Sequence, residues 1–551
     1  MFIRVKTSPN SKGKSVQIVQ SLRKGERVTQ KIIRHVGMAY DEDELNKLKL
    51  LAQSIRRKLQ TGAQQFLFKP EEIVTLGETK KQYQDSDYLV NVKNLVEEQR
   101  LISGIHDVYG KLFRNLGYEK VISRPGRNKM AVRIFSDIVL ARIANPASKM
   151  ASVDMLEEDF GLTIDLDKVY RMMDKLDAAA LERLKKITYQ NSLNLLGSKI
   201  EVIFYDATTI YFESFSEDEL KRNGFSKDCK HNQPQILLAL MVTSDGLPVD
   251  YELFSGDTYE GHTLIPALRK IRKKYQIDKI VLVADSAMCT QDNMAALEKE
   301  GFEYIVGARL KKVTNKLKKQ ILDSKHYQEI TPGYQVACFC DGNRKLVVSH
   351  SSQRALKDAS DRKKAIVKLK KKLAKSSSPK QHLSNSGYRK YLKVAGESTL
   401  ILDEEKIASE SLWDGLHGVI TNAKLSAEEI LARYHDLWQV EAAFRVTKHD
   451  LKVRPVFHWK PRRIAAHIAI CFTAYALVKH LEYRVRLCYR KLSMEKIRQL
   501  LLRVQISILF DKEKRIRYGL PSKMKKEARR IYDAVGIKRS ITPYIIEKCK
   551  M

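Results

Sequence analysis

Between residues 199 and 287 the chain alternates apolar, β-branched runs with amphipathic, helix-like segments. The runs are KIEVIFYDATTIYFES from residue 199, PQILLALMVTSDGLPVDYELFSG from 234 and KIVLVADSA from 279. Runs of this kind form strands, and those joined by short turns are expected to pair antiparallel. KIVLVAD follows the helix-like segment EGHTLIPALRKIRKKY, so it should pair in parallel, and YIVGARL predicts one further strand. The pattern predicts an α/β fold with a mixed sheet and flanking helices.

Two aspartates lie in these runs. Asp206 shares a strand face with Val202 and Phe204 if the strand has its usual period of two. A carboxylate on an apolar face is costly unless it is paired, protonated or bound to a metal ion. Asp285 ends KIVLVAD, at the carboxyl end of a strand, where ligands collect in open α/β sheets. Either aspartate alone is also explained as a strand-end or turn residue.

A third carboxylate lies in the segment AEEILARYHDLWQVEAAFRVTKHDL, which begins at residue 427 and predicts one continuous, mostly buried helix. The spacing of its polar residues puts four of them on one stripe: Tyr434, Glu441, Arg445 and Lys448. The alternative is an exposed pair of Glu441 with Arg445. Such a pair stabilises a helix by only about 0.2 to 0.5 kcal/mol.

Three carboxylates at one site would raise each other's pKa unless cations neutralise them. Ligation by oxygen alone indicates Mg²⁺ or Mn²⁺, and two such ions can support an in-line displacement at phosphorus. The sequence therefore predicts a two-metal site formed by Asp206, Asp285 and Glu441. Arg445 and Lys448 would then face the phosphate oxygens.

The charge of the chain indicates a polyanionic partner. Lys and Arg number 100 against 65 Asp and Glu, a formal net charge of +35. A generally basic or ribosome-associated protein is the alternative interpretation. Fourteen Lys or Arg against two acids lie in residues 353–396, in the middle of the chain. A charge run is usually a solvated face, but this position favours nucleic-acid binding by the lysines of a predicted helix, Lys363, Lys364, Lys370, Lys371 and Lys372.

Four ordered motifs carry a resemblance to a known family. They are IFYDATTIYFES, GFSKDCKHNQPQILLALMVTSDGLPVDYELFSGDTYEGHTL, VLVADSAMCTQDNMAALEKEGFEYIVGARL and YHDLWQVEAAFRVTKHDLKVRPVFHW. The chain resembles the DDE transposases of bacterial insertion sequences, in the branch of the insertion sequence 4 superfamily with the YREK signature. It is most similar there to the insertion sequence 1634 group. Tyr434, Glu441 and Lys448 match the signature, whereas Leu437 stands at its arginine position, so Arg445 or Arg433 is the candidate substitute.

The resemblance implies a ribonuclease H-like catalytic core that is interrupted by a mainly β, basic insertion before the glutamate helix. It also implies a homodimer that acts on terminal inverted repeats and target DNA, in many relatives through a hairpin end. Lys227 and His231 lie in a matching motif whose role is either catalytic support or turn structure. Arg454, His458 and His467 are candidate DNA contacts, although a structural histidine is the commoner case.

The resulting domain prediction has six parts. They are a basic β-ribbon and helical arm for DNA binding (1–100), a helical domain for DNA end binding (101–197), the first part of the core (198–309), the insertion (310–412), the second part of the core with the glutamate helix (413–480) and a basic helical C-terminal region (481–551).

Seven scattered cysteines and a polar, basic N-terminus predict a reduced cytoplasmic protein of a bacterium or archaeon, associated with the nucleoid. The pattern shows no zinc-binding spacing, and we expect no apolar stretch to reach the roughly 18 residues of a membrane span. The predicted activity is cut-and-paste DNA transposition by metal-dependent hydrolysis and strand transfer. The alternatives are a metal-dependent nuclease or resolvase without strand transfer, and a non-catalytic DNA-binding protein derived from a transposase.

Overall fold

The computed structural model describes most of the chain. The described residues are 2–7, 13–24, 27–39, 42, 44–46, 48–49, 52–53, 85–197, 200–213, 216–224, 233–275, 281–286, 290–374, 390–395, 399–454 and 456–548. They form two compact units. The first unit comprises Met1–Glu201, Asp206–Tyr259 and Gln439–Met551, and the second comprises Val202–Tyr205 and Glu260–Trp438. The six predicted domain boundaries stay predictions.

The described strands, numbered in chain order, are β1 Phe2–Thr7, β2 Lys14–Lys24, β3 Arg27–Ala39, β4 Leu95–Ile102, β5 Val202–Tyr211, β6 Gln235–Val242, β7 Pro248–Ser255, β8 Val281–Ala284, β9 Glu303–Gly307, β10 Gln328–Thr331, β11 Tyr334–Asp341, β12 Arg344–Ser351, β13 Leu392–Ala395, β14 Thr399–Leu402, β15 Leu416–Thr421, β16 Gln505–Asp511, β17 Ile516–Pro521 and β18 Tyr544–Lys548.

The described α-helices are α1 Asp85–Tyr88, α2 Lys111–Asn115, α3 Lys129–Ala144, α4 Lys149–Phe160, α5 Leu166–Asp174, α6 Ala178–Leu195, α7 Leu264–Tyr275, α8 Gln291–Lys299, α9 Asn315–Leu322, α10 Ser352–Ala374, α11 Glu404–Ser411, α12 Ala427–His435, α13 Trp438–Arg445, α14 Pro461–Cys488, α15 Met494–Leu502 and α16 Lys526–Val535. Two π-helical turns, His106–Gly110 and Val446–Asp450, precede α2 and follow α13.

The second unit is built on a mixed sheet. Its strands follow the order β10, β11, β12, β15, β9, β8 and the first residues of β5. Strand β8 is parallel to β5 and to β9, whereas β15 is antiparallel to both of its neighbours. All four residues of β8 are buried, as expected for a central strand that is covered on both faces. The predictions of a mixed α/β sheet and of a parallel KIVLVAD strand are confirmed.

The predicted insertion contributes strands to this same sheet. The apolar runs YQVACFC and KLVVSH form most of β11 and β12, and β12 pairs directly with β15. The segment also contains α9, the 23-residue α10 and α11, so it is less β-rich than predicted. The predicted helix that carries the five lysines is confirmed as α10, and residues 375–389 lie outside the described residues.

In the first unit, the rest of β5 is followed in the sheet by β6 and β7, which pair antiparallel. Helix α14 runs through the centre of this unit and packs against α3, α5 and α6. By length and composition α14 could cross a membrane, contrary to the expectation that no segment reaches that length. However, 89% of its most apolar window is buried inside the protein, as in a core helix.

A three-stranded antiparallel sheet of β1, β2 and β3 lies at the N-terminus and confirms the predicted ribbon. Val16, Ile18 and Val36 form a core with Tyr483 and Leu487 of α14. The N-terminal ribbon therefore packs on the helical part of the first unit. The helical arm that is predicted to follow the ribbon lies mostly outside the described residues.

Two predicted helical regions were wrong in part. The C-terminal region contains β16, β17 and β18, which form an antiparallel sheet with the distant β4. The segment DKVYRMMDKLDAAALERLKKI, residues 167–187, has the periodicity of one helix but is divided between two, α5 and α6. The second helix begins anew because the side chain of Asp177 accepts a hydrogen bond of 2.8 Å from the backbone N–H of Ala180, a normal N-cap.

Candidate active site

Asp206 lies in the middle of β5, which continues to Tyr211. The parallel pairing of β5 with β8 covers residues 202–204, so Asp206 is the second residue beyond it. Its side chain is half-buried, and Oδ1 accepts a hydrogen bond of 2.8 Å from the backbone N–H of Ala207. The carboxylate is thus held on a strand that is otherwise almost entirely buried.

Asp285 directly follows β8 and is also half-buried. It is the second residue beyond Val283, which is the register partner of Phe204. Asp206 and Asp285 therefore occupy equivalent positions relative to the parallel pairing of β5 with β8. The prediction that Asp285 lies at the carboxyl end of a buried parallel strand is confirmed.

Tyr434 lies on α12 in the second unit, close to the end of β8. A Cβ atom at Gly307 would collide with the Tyr434 hydroxyl and would lie 3.2 Å from the backbone nitrogen of Ser286. Gly307 therefore leaves the space that the Tyr434 hydroxyl occupies, and the backbone nitrogen of the residue after Asp285 borders the same point. Sequence reasoning did not single out this glycine, although it lies in the quoted YIVGARL strand.

His417 on β15 packs beside this tyrosine, with the ring centroids of His417 and Tyr434 5.2 Å apart. Burial, together with the positive charge of Arg354, lowers the pKa of His417 to about 4. The imidazole is therefore neutral at pH 7. Sequence reasoning missed this residue because a histidine in a strand carries no motif of its own.

The predicted continuous helix around Glu441 was wrong. The segment is divided into α12 and α13 after His435. There the backbone N–H of Leu437 donates a hydrogen bond to the carbonyl of Tyr434, three residues earlier rather than the four of an α-helix. Tyr434 and Glu441 consequently lie on different helices rather than on one stripe. Helix α13 buries Val440, Ala443 and Phe444, whereas Glu441 and Arg445 are exposed.

Lys448 lies in the π-helical turn after α13 and links this segment to β5 within the first unit. Its Nζ donates a hydrogen bond to the hydroxyl of Thr208, two residues beyond Asp206. Alternate residues of a strand share a face, so Thr208 lies on the face of Asp206. Arg454 packs near the end of the same strand, with its guanidinium 5.1 Å from the centroid of the Tyr211 ring. The structure thus brings the segment after Glu441 to the strand of Asp206.

The carboxylates do not form a closed metal cluster within the described residues. No group of three or more His, Cys, Asp or Glu side chains that could hold a metal ion is found there. Asp206 and Glu441 belong to the first unit and Asp285 to the second. The three candidates share one donor chemistry, carboxylate oxygen, in half-buried or exposed positions.

The other predicted DNA-binding residues are more scattered. Four of the lysines are exposed on α10 of the second unit, and Lys364 lies 3.9 Å from Asp361. These four are Lys363, Lys364, Lys370 and Lys371. The side chain of Lys372, and the whole of Lys227 and His231, lie outside the described residues.

Comparisons with known proteins identify the family. The solved structures to which this chain is similar include two of transposases. The piggyBac transposase in a synaptic complex with hairpin DNA has a TM-score of 0.38 and 8% identity, covering 72% of this chain and 76% of that chain. The Mos1 transposase in a paired-end complex with the left transposon end has a TM-score of 0.14 and 14% identity, covering 29% of this chain and 53% of that chain.

No curated protein matches the chain. A family model does match it: residues 197–477, more than half of the chain, match the model described as the transposase DDE domain. This match includes β5 and α13, which carry Asp206 and Glu441, and β8 with Asp285, which directly follows it. The chain therefore belongs to the family of transposases with a DDE domain.

Proposed function

We propose that this protein is a DNA transposase whose carboxylates Asp206, Asp285 and Glu441 bind the divalent metal ions of the reaction. The observation that carries the proposal is the register of β5 and β8, because Asp206 and Asp285 are each the second residue beyond the paired Phe204 and Val283. Aspartates at equivalent positions beyond neighbouring parallel strands lie where ligands collect in α/β sheets.

The chemistry of the donor set suits the metal ions that the sequence predicts. Three carboxylates without a thiolate or an imidazole favour Mg²⁺ or Mn²⁺ over zinc or copper. Bound there, two ions would activate a water or a 3′-hydroxyl for attack and would stabilise the leaving oxygen at phosphorus. Lys448 stabilises negative charge beside β5, where Thr208 fixes its ammonium. Exposed Arg445, one turn beyond Glu441, is the candidate for the phosphate contact that Leu437 cannot make.

The wider proposal follows the family and the charge. The net charge of +35 and the exposed lysines of α10 suit double-stranded DNA, namely terminal inverted repeats and a target. We place the chain in the insertion sequence 4 superfamily, with a ribonuclease H-like core, a homodimeric synaptic complex and cut-and-paste transposition in the bacterial or archaeal cytoplasm. The mixed sheet and the ordered motifs support this placement.

The test uses near-isosteric substitutions in the full chain. Asp206→Asn, Asp285→Asn and Glu441→Gln should each reduce Mg²⁺-dependent cleavage of a duplex with the flanking inverted repeats by more than about 100-fold. Losing even an outer-shell partner of a metal ligand costs 10- to 100-fold. Asp292→Asn and Glu428→Gln, on exposed carboxylates of α8 and α12, are the matched controls and should keep full cleavage.

Duplex binding without metal should survive all of these substitutions. Cleavage retained by any one of the three variants would remove that residue from the proposal. Joining of a 3′-hydroxyl end to target DNA distinguishes a transposase from a nuclease or resolvase. Binding without any cleavage by the unmodified protein would instead indicate a DNA-binding protein that has lost catalysis.

A further inference from the structure

Two large aromatic side chains stand out from the surface of the first unit shortly after the Glu441 segment. Phe457 is 60% exposed and Trp459 is 72% exposed. His458 between them faces inward, where its ring packs edge-on against Tyr170 at 6.2 Å and lies 5.5 Å from the ring of His467. The chain thus presents two aromatic rings outward from one short stretch, residues 456–460, which we call the aromatic loop.

Buried polar side chains hold the turn that leads into the aromatic loop. The buried guanidinium of Arg142 donates hydrogen bonds to the carbonyls of Leu451 and Lys452, at 3.4 and 3.2 Å. Lys452 adopts a φ of +42°, which is strained for a residue with a side chain, so the Arg142 bonds stabilise a costly conformation.

Further bonds complete this support. Buried His467 bonds through Nε2 to the carbonyl of Val453 at 3.1 Å, and its Nδ1 lies 3.3 Å from Nζ of Lys149. Beyond the loop, Arg463 forms two hydrogen bonds with the carboxylate of Asp174, at 2.9 and 2.8 Å. The exposed rings therefore project from a preorganised loop, so a ligand that packs on them loses little free energy to ordering of the loop.

The charge around the rings selects the class of ligand. Residues 452–463 read KVRPVFHWKPRR, with five Lys or Arg and no acidic residue. Lys452 and Lys460 are exposed on either side of the two aromatics. Flat apolar rings between cations match a strand of nucleotides, because bases stack on aromatic side chains while phosphates lie against the ammonium groups. Bases inside a duplex are already stacked on each other, so only unpaired bases offer a free face.

We propose that Phe457 and Trp459 stack on unpaired bases of a DNA strand whose phosphates contact Lys452 and Lys460. This inference rests on the proposed function in that DNA is taken as the substrate. It adds a site for unpaired nucleotides in the same unit as Asp206 and Glu441.

The experiment measures binding of the full chain by fluorescence anisotropy, without metal ions. Three labelled DNAs of one sequence are compared: a single strand, a duplex with an unpaired overhang and a blunt duplex. Trp459→Ala and Phe457→Ala should each weaken binding of the single strand and of the overhang by about 5- to 100-fold, the range for loss of one stacked base. Binding of the blunt duplex should change less than about twofold.

Three control variants separate stacking from apolar bulk and from loss of the fold. Trp459→Tyr should keep most of the affinity for the single strand, whereas Trp459→Leu should lose it. Ile541→Ala removes a comparably exposed apolar side chain, 54% exposed near the C-terminus, and should leave all three affinities unchanged. Thermal unfolding should be unaltered in every variant, since the substituted side chains are exposed.

Several outcomes would overturn the inference. Equal weakening of the single strand and the blunt duplex would show a general DNA contact, and equal affinities of the Leu and Tyr variants would exclude aromatic stacking. A change in molecular mass by light scattering in Trp459→Ala, with single-strand binding intact, would assign the rings to contact with a second copy of the chain. Normal blunt-duplex binding with no effect of any substitution refutes only this inference, whereas an unmodified protein that binds no DNA refutes the proposed function as well.

Discussion

Lys149 provides a test of the buried support beneath the aromatic loop. Its side chain is buried, and its Nζ lies 3.3 Å from Nδ1 of His467. Burial, together with the charge of Arg142, lowers the pKa of Lys149 from 10.5 to about 7. The uncharged amine can still donate a hydrogen bond to His467. Between pH 7 and pH 10.5 Lys149 is therefore mostly deprotonated in the folded state and protonated in the unfolded state.

The sign and size of the effect follow from this difference in proton binding. Above pH 7 the unfolded or locally opened state binds one more proton than the folded state, so the free energy of opening rises with pH up to the unfolded pKa of 10.5. Each pH unit contributes about 1.4 kcal/mol, which gives about 3 kcal/mol between pH 7 and about pH 9.5. Lys149→Met removes the titrating group and should remove the slope.

The thiol of Cys471 reports this opening directly. It is buried, with Sγ 3.7 Å from Nε2 of His467, whereas Cys338 is exposed. The rates at which Cys471 and Cys338 are alkylated are measured by mass spectrometry, and their ratio is taken. The ratio cancels the pH dependence of the alkylation reaction, so its change with pH reports the free energy of opening around Cys471. Protection should rise up to about tenfold per pH unit in the unmodified chain and in a control, Lys186→Met, at an exposed site on α6. An unchanged slope in Lys149→Met would refute the reasoning.

Two further predictions concern stability. Lys185→Met should cost about 3 to 5 kcal/mol in urea unfolding, because it removes the ammonium that lies 2.8 Å from the buried carboxylate of Glu252 and 3.7 Å from that of Asp250. Lys186→Met, at an exposed site, should cost under about 0.5 kcal/mol, and similar values for both variants would contradict the argument. Burial lowers the pKa of His417 and His458 to about 4, so their contribution to stability is present above pH 6.5 and is lost as the pH falls toward 4. His458→Phe should flatten the fall of the melting temperature across that interval, and a fall as steep as that of the unmodified chain would exclude this cause.

Strand positions in the sheet were predictable because each strand carries its own local signal. The β-branched run of β8 is apolar at every position, and burial on both faces by its parallel neighbours accounts for that pattern. The two aspartates could then be recognised because each is a polar residue within an apolar run or directly after one. Asp206 interrupts one apolar run and Asp285 ends another, so both could be selected without knowledge of the tertiary structure.

Features that depend on distant partners were not predictable. The pairing of β16 with β4 joins residues about 400 positions apart, and neither sequence indicates the other. The division between α12 and α13 was missed because the apolar periodicity continues through Asp436 and Leu437. The close approach of Tyr434 to Gly307 likewise depends on the packing of α12 against the end of β9.

The helices before the core have a structural role in the candidate site that their sequence does not reveal. Residues 101–197 are predicted to bind DNA ends, and they lie almost entirely before the segment that matches the family model. Yet Arg142 and Lys149 come from these helices, and their buried polar groups fix the turn after Glu441 and the histidine beneath it. Buried polar groups are costly unless they form hydrogen bonds, and both of these form them, Arg142 with the turn and Lys149 with the histidine. Any DNA contact made by these helices must therefore use their exposed faces, because their inner faces already support the segment that carries the glutamate and the aromatic loop.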